Sequence, residues 1–173
     1  MAAKGFIELL KLSQRGKAQN LLLNSSTEQW SGVAFRLGHE YFVAPLGEVS
    51  EVIFLPEIID IPQTHDWFLG LANVSGKIIA ISDLSQCFEF EQVASSHRRV
   101  LCIYLHQHQI GLVVDQVFGI QHFQHHQYCT ESEISNPKLA PFCQGYFQDQ
   151  QNHWHVFLFS QLLQSPLFMD VAQ

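Results

Sequence analysis

Charge is scarce in this chain of 173 residues: only 14% are Asp, Glu, Lys or Arg, and nine Lys and Arg face sixteen Asp and Glu for a net charge of −7 with neutral His. That balance argues against nucleic acid, whose phosphates call for clustered cations. No C-x-x-C pair relates Cys87, Cys102, Cys129 and Cys143, so these read as small hydrophobes of a reducing compartment rather than zinc ligands. No window of eighteen apolar residues exists, which argues against a membrane span. The N-terminus lacks an unbroken apolar core and a small-residue cleavage site, and the expected location is the cytoplasm. There is no phosphate-cradling glycine loop, no H-E-x-x-H and no G-x-S-x-G elbow.

What the chain has instead is apolar content of 47%, fourteen Phe and ten His. The charge is uneven. Lys4, Lys11, Arg15 and Lys17 stand against Glu8 alone in the first twenty residues, leaving the remainder acidic. Residues 5–22 are expected to be helical, with Phe6, Leu9 and Leu10 on one face.

From Trp30 the period becomes two. Val33, Phe35 and Leu37 alternate with Ala34 and Arg36, and Gly38-His39 turns the chain into a returning strand that Pro45 ends. A strand is expected over 49–54, a helical turn over 66–71, and strands over 71–75 and 77–82. Residues 77–82 are apolar enough to be covered on both faces. Asp83 stands where a helix N-cap would, with the helix running to Phe88. Residues 99–105 suit a central strand, and 110–123 one long strand bent at Gly119. Residues 124–142 are expected to be irregular, with a capping box between Thr130 and Glu133. Strands at 145–148 and 153–159 precede a last helix over 160–171 interrupted at Pro166. About ten short strands indicate small barrels or a sandwich, with the link 89–97 dividing them into two groups.

Three constellations could carry chemistry. His106 with His108, and His153 with His155, share strand faces, and His122, His125 and His126 cluster, so a histidine-rich metal- or ligand-binding β-barrel is one alternative function. Against it, no cysteine spacing completes a zinc site. Cys129 lies near His125 and His126, the pattern of a thiol nucleophile, but no helix N-terminus follows to lower its pKa. Glu48, Glu51, Glu57 and Asp60 read as solvated rim charges. Phe35, Phe42 and Phe157 are expected in the core, with Phe123 and Phe168 candidates for a partner-binding surface.

A further pattern runs through the chain in order. Phe35-Arg36-Leu37-Gly38 and Val49-Ser50-Glu51-Val52 are followed by Gly70, the turn Asn73-Val74-Ser75-Gly76, the apolar run Lys77 to Ser82, Asp83-Leu84, and Gly111 through Val117 with Asp115. Taken from Trp30 to Phe159, the chain resembles the CheW-like family, adaptor domains that couple chemoreceptors to a histidine kinase. Trp30-Ser31-Gly32, Phe42-Val43-Ala44-Pro45 with Gly47-Glu48-Val49, and Gln121-His122-Phe123 look closest to the branch serving type IV pili and twitching motility.

The resemblance implies two intertwined five-stranded SH3-like β-barrels, a mainly β fold with N-terminal, linking and C-terminal helices. It divides the chain into an N-terminal helix and link (1–29), a CheW-like domain (30–160) and a C-terminal helix (161–173). It implies no catalysis and no cofactor. One surface would bind the kinase regulatory domain, and a groove between the barrels would take the helical tip of a chemoreceptor. Val49, Glu51, Gly70, Asn73, Ser75, Gly76 and Gly111 match the protein-binding positions. In two places the chain departs from the family. Ser75 stands where the turn usually carries an Arg that can pair with the acid matching Glu51, so Glu51 is free or has another partner. Ala80 stands where Pro is common.

Overall fold

The structure, a computed structural model, describes residues 29–92, 94–131 and 134–172. The helix expected over 5–22 and the Glu133 half of the capping box lie outside the described residues.

Among the described residues, eleven strands form two sheets. The first has six: β1 (Gln29–Leu37), β2 (Glu40–Pro45), β8 (Gln116–Gln124), β9 (Tyr128–Cys129), β10 (Cys143–Gln148) and β11 (His153–Phe157), in the order β8-β1-β2-β11-β10-β9. The second has five: β3 (Glu51–Phe54), β4 (Phe68–Val74), β5 (Lys77–Asp83), β6 (Arg99–Leu105) and β7 (His108–Val114), in the order β3-β6-β7-β5-β4. The mainly β, two-part architecture expected from the sequence is present, with one more strand in the first half than expected.

The division of the chain differs from expectation. The link 89–97 lies inside the second sheet, between β5 and β6, and separates nothing. The whole second sheet is instead inserted between β2 and β8, and each sheet is sealed by one parallel pair, β2 with β11 and β5 with β7. Residues 110–123 are accordingly two strands. The chain leaves β7 for the other sheet at Asp115, and Gly119, at φ 84°, supplies only a bulge where β8 shifts register against Ala34 and Phe35 of β1.

Alternation explains the layers. Val33, Phe35 and Leu37 of β1 and Phe42 and Ala44 of β2 face Leu101, Leu112 and Val114 of the second sheet in a core shared by both halves. The opposite faces of the first sheet bury Trp30, Ala34, Val43, Phe123, Phe147 and Trp154. Those of the second bury Ala72, Ile79, Ile81, Val100, Cys102 and Val113. Phe35, Phe42 and Phe157 are core residues as expected, but so are Phe123 and Phe168, whose rings fill interior space rather than a surface.

The helices are short. α1 (Leu84–Cys87) starts where the sequence places it, Asp83 accepting from the backbone N–H of Gln86 at 3.2 Å. Of residues 66–71, Asp66 and Trp67 are a non-helical turn and 68–71 are strand, because Phe68 onward pairs with β5. The span 124–142 is more ordered than expected. It holds a 3-10 turn at His125–Gln127, β9, and a 3-10 helix at Pro137–Phe142 capped by Asn136. The last helix is two pieces, α2 (Phe159–Leu162) and α3 (Pro166–Met169), the proline opening the second piece at a position where its missing N–H costs nothing.

One ionic cluster ties the halves together. The buried Asp115 carboxylate accepts from the Gly38 N–H of the β1–β2 turn at 2.7 Å and from the Ser85 hydroxyl of α1 at 3.0 Å. Arg98 bonds Asp83 and places its Nε 3.8 Å from Asp115 Oδ1.

Candidate docking surface

The β4–β5 turn is built by backbone conformation. Val74 pairs with Lys77, so Ser75 and Gly76 form a two-residue loop with both φ angles positive, 52° and 82°. This is the twist a tight hairpin needs, and serine is a poor choice for its first position. The Asn73 side chain steadies the loop by accepting from the Gly76 N–H at 3.0 Å. Asn73, Ser75 and Gly76 are all exposed.

Glu51 opens β3 and is exposed. Its carboxylate accepts from the Gln109 side-chain amide at 2.8 Å, and the same amide donates to Ser50 Oγ at 3.1 Å. The Ser50 hydroxyl in turn donates to the Cys102 carbonyl at 2.9 Å. Among the described residues the partner of Glu51 is thus a neutral amide, which orients the carboxylate.

Three other expected positions are not exposed. Val49 is half-buried against the shared core. Gly70 is buried at φ 129°, and a Cβ there would stand 2.0 Å from the Ile59 carbonyl oxygen, because the 55–64 link crosses β4 at that point. Gly111 faces the interior of the second sheet, where a Cβ would meet Ile81 Cδ1 at 2.6 Å and Val100 Cγ1 at 2.7 Å. Arginine at either glycine is incompatible with the packing.

Pattern reading missed the apolar side chains that are on the surface. Phe54 is 75% exposed, with the Arg99 guanidinium 4.4 Å from its ring centre, and Ile59 is 69% exposed. Val52 and Leu55 are also exposed, as are the acids Glu57 and Asp60. Ile78, directly opposite Asn73, is 64% exposed, so β5 is not covered on both faces over its whole length. The available signal was Pro56 and the acids, which mark 51–60 as an edge; nothing in the apolar letters distinguished inward from outward.

Glu48 is no rim charge. It lies beside a cavity of about 190 Å³ lined by Ser50, Ile103, Tyr104, Phe159, Ser160 and Leu163. Its carboxylate accepts from the backbone N–H groups of Phe159 at 2.7 Å and Ser160 at 3.3 Å, capping α2 from a distant part of the chain. Burial pushes its pKa above the ordinary value, outweighing these hydrogen bonds.

The histidines do not gather. Among the described residues no three His, Cys, Asp or Glu side chains converge as a metal site would require. His122 bonds Ser31 Oγ at 2.6 Å, His153 stacks on Tyr146 at 4.7 Å, and His155 packs between Phe42 and Tyr146. Burial raises the thiols of Cys87 and Cys102 to about 11, helped by Asp83 and Glu51 respectively, and pushes Cys143 up as well. Cys129 lies in β9, opposite Tyr146.

A profile of the CheW-like domain matches residues 31–166, an interval that takes in both sheets. The chain belongs to the CheW-like family. This CheW-like chain is 38% identical over 148 residues to protein PilI of Pseudomonas aeruginosa, a match covering 85% of the chain and 83% of PilI. In structure it is similar to the scaffolding protein TtCheW from Thermoanaerobacter tengcongensis, with a TM-score of 0.64 and 22% identity over 74% of this chain and 88% of that one. The latter likeness concerns the fold. CheW-like proteins are non-catalytic scaffolds of chemosensory signalling, and among the described residues no helix is long and apolar enough to cross a membrane.

Proposed function

We propose that this chain is a cytoplasmic, non-catalytic adaptor that couples a chemoreceptor to a histidine kinase in a pathway controlling type IV pili and twitching motility. The observation carrying this reading is the 38% identity to PilI along 85% of the chain. The kinase regulatory domain docks on the second sheet around Glu51, Asn73, Ser75 and Gly76, with Phe54, Ile59 and Ile78 supplying apolar area. Val49, Gly70 and Gly111 hold that surface in shape. The receptor tip enters between the sheets. The adaptor transmits only what it gains by binding one receptor state better than another.

The test is calorimetric titration of the purified kinase regulatory domain and of a receptor-tip fragment into the chain. Wild type binds both. Phe54→Ser with Ile78→Ser lowers affinity for the kinase domain by about tenfold or more while melting as wild type does, since both side chains are already solvated. Ser75→Arg is the companion variant, offering Glu51 the cation that the turn lacks and altering kinase affinity. Failure of wild type to bind either partner overturns the proposal.

A further inference from the structure

The open edges of the two sheets are not alike. β9 offers two residues, and β3 offers four, beginning with Glu51 and followed closely by Pro56. The outer side of β4 is already bonded, Ile59 N–H donating to the Leu71 carbonyl at 2.8 Å and Leu71 N–H to the Ile59 carbonyl at 2.9 Å. β8 is different. Its nine residues, Gln-Val-Phe-Gly-Ile-Gln-His-Phe-Gln, include no Asp, Glu, Lys, Arg or Pro. Its inner side pairs with β1, and among the described residues no backbone hydrogen bond reaches the outer side of 116–123. The bulge at Gly119 divides the strand and leaves Ile120 to Gln124 as an uninterrupted run in register with Gln29 to Val33.

Edges of soluble sheets are usually kept apart by charge, proline or brevity, because a row of unpaired N–H and C=O groups invites another strand. This chain has acidic residues to spare and places none on β8. The choice of occupant follows from charge. An acidic or basic segment would find no counter-charge on this edge. A second copy is the case in which charges would do most harm, since a two-fold axis brings every charge on the paired run close to its own duplicate. A net charge of −7 opposes contact between copies in general, and an uncharged strand is where that opposition is least. Ile120, 55% exposed, and His122, exposed and tethered to Ser31 of β1, stand on one face of the run; across an axis near His122, His122 would meet its counterpart and Ile120 would lie opposite Gln124.

We propose that two copies of this chain pair antiparallel through the outer edges of β8 over Ile120 to Gln124, with a two-fold axis near His122, joining two six-stranded sheets into one continuous sheet. The pairing uses no residue of β3, the β4–β5 turn or the cavity beside Glu48, so it is independent of the adaptor reading.

The experiment is sedimentation velocity of the full chain across a concentration series, with hydrogen exchange at the two ends of that series. Wild type is expected to pass from monomer to dimer, with backbone amides of 120–124 exchanging more slowly as dimer forms. Ile120→Lys replaces, on both copies, the apolar side chain opposite Gln124 with a charge and is expected to weaken association by about tenfold while retaining the wild-type melting temperature. Phe54→Lys, on the other sheet, is expected to change nothing. A wild type monomeric throughout overturns the proposal. So does an open-ended polymer, a dimer indifferent to Ile120→Lys, or a dimer lost on Phe54→Lys.

Discussion

The two sheets are filled differently and face the solvent differently. Inside the first, Trp30 stacks on Phe147 at 4.9 Å, Phe123 on Phe147 at 4.6 Å, and Tyr128 and Trp154 close the cluster. Inside the second there is no ring at all, only Ala72, Ile79, Ile81, Val100, Cys102 and Val113 among the fully buried residues. Outside, the order reverses. The stretch that builds the second sheet exposes Val52, Phe54, Leu55, Ile59, Ile78 and Tyr104, whereas the strands of the first expose one large apolar residue, Ile120, among those described. Large stacked rings bury much area with few rotatable bonds and make a stiff interior. Small residues fill the interior of the second, and its larger side chains stand outside. The contrast fits a division of labour in which one half supports and the other docks.

The sharpest way to break the contrast is at the ionic cluster joining the halves. Asp115→Ala leaves Arg98 short of a carboxylate and Gly38 N–H and Ser85 without their acceptor, at an expected cost of about 3–5 kcal/mol. Chemical denaturation followed at Trp30 and Trp154 and by hydrogen exchange in β5–β7 should then show the sheets losing their common transition. Inside the sheets, Phe147→Ala should cost about 3–5 kcal/mol and Ile79→Val about 0.5–1.5 kcal/mol by urea melts. Equal costs would erase the distinction between a stiff and a compliant interior.

A smaller effect concerns Glu48, which links the stretch before β3 to α2. Its native pKa is raised, so the folded state holds the proton to higher pH than the unfolded chain does. The contribution to stability is therefore full below the unfolded pKa and is lost as pH rises through the native one. Glu48→Gln should remove that slope in denaturation curves taken across the acidic range, while Asp149, in the first sheet, should behave oppositely. Burial pushes the Asp149 carboxyl up, but hydrogen bonds from Gln151, Trp154 and Asn152 and the nearby His153 more than offset it and hold its pKa down. Its stabilising share is present above the unfolded pKa and fades as pH falls, and Asp149→Asn should flatten that limb.

The smallest expected change is a gain. Ser75→Asn places in the tight turn a residue that tolerates positive φ, and should raise stability by about 0.5 kcal/mol in thermal melts.

Much of the fold was legible because local chemistry decided it. Alternation at Val33, Phe35 and Leu37, the Gly38 turn, the end of β2 at Pro45 and the Asp83 cap each depend on neighbours a few residues away. What was illegible depends on residues far apart in the chain. Nothing near Asp115 announces that the chain changes sheets there; the reason is Gly38, seventy-seven residues earlier. Phe123 and Phe54 are the same letter near strand ends, and only distant chain decides between them: Phe123 packs on Trp30 and Phe147, while Phe54 meets Arg99 at the surface. The β4–β5 turn was readable from its Asn and Gly, whereas the packing of Gly70 and Gly111 required knowing that Ile59, Ile81 and Val100 press against them.

The insertion of one sheet within the other has a consequence during synthesis. By the time Val114 leaves the ribosome, every strand of the second sheet has been made, while the first exists only as the β1–β2 hairpin. The inner half can therefore form early, with the apolar face it will later share still bare, and must wait for four more strands to cover it. A nascent chain stalled near residue 115 would be a nearly complete second half with an unsheltered flank, which is the stage at which a chaperone would find most to hold.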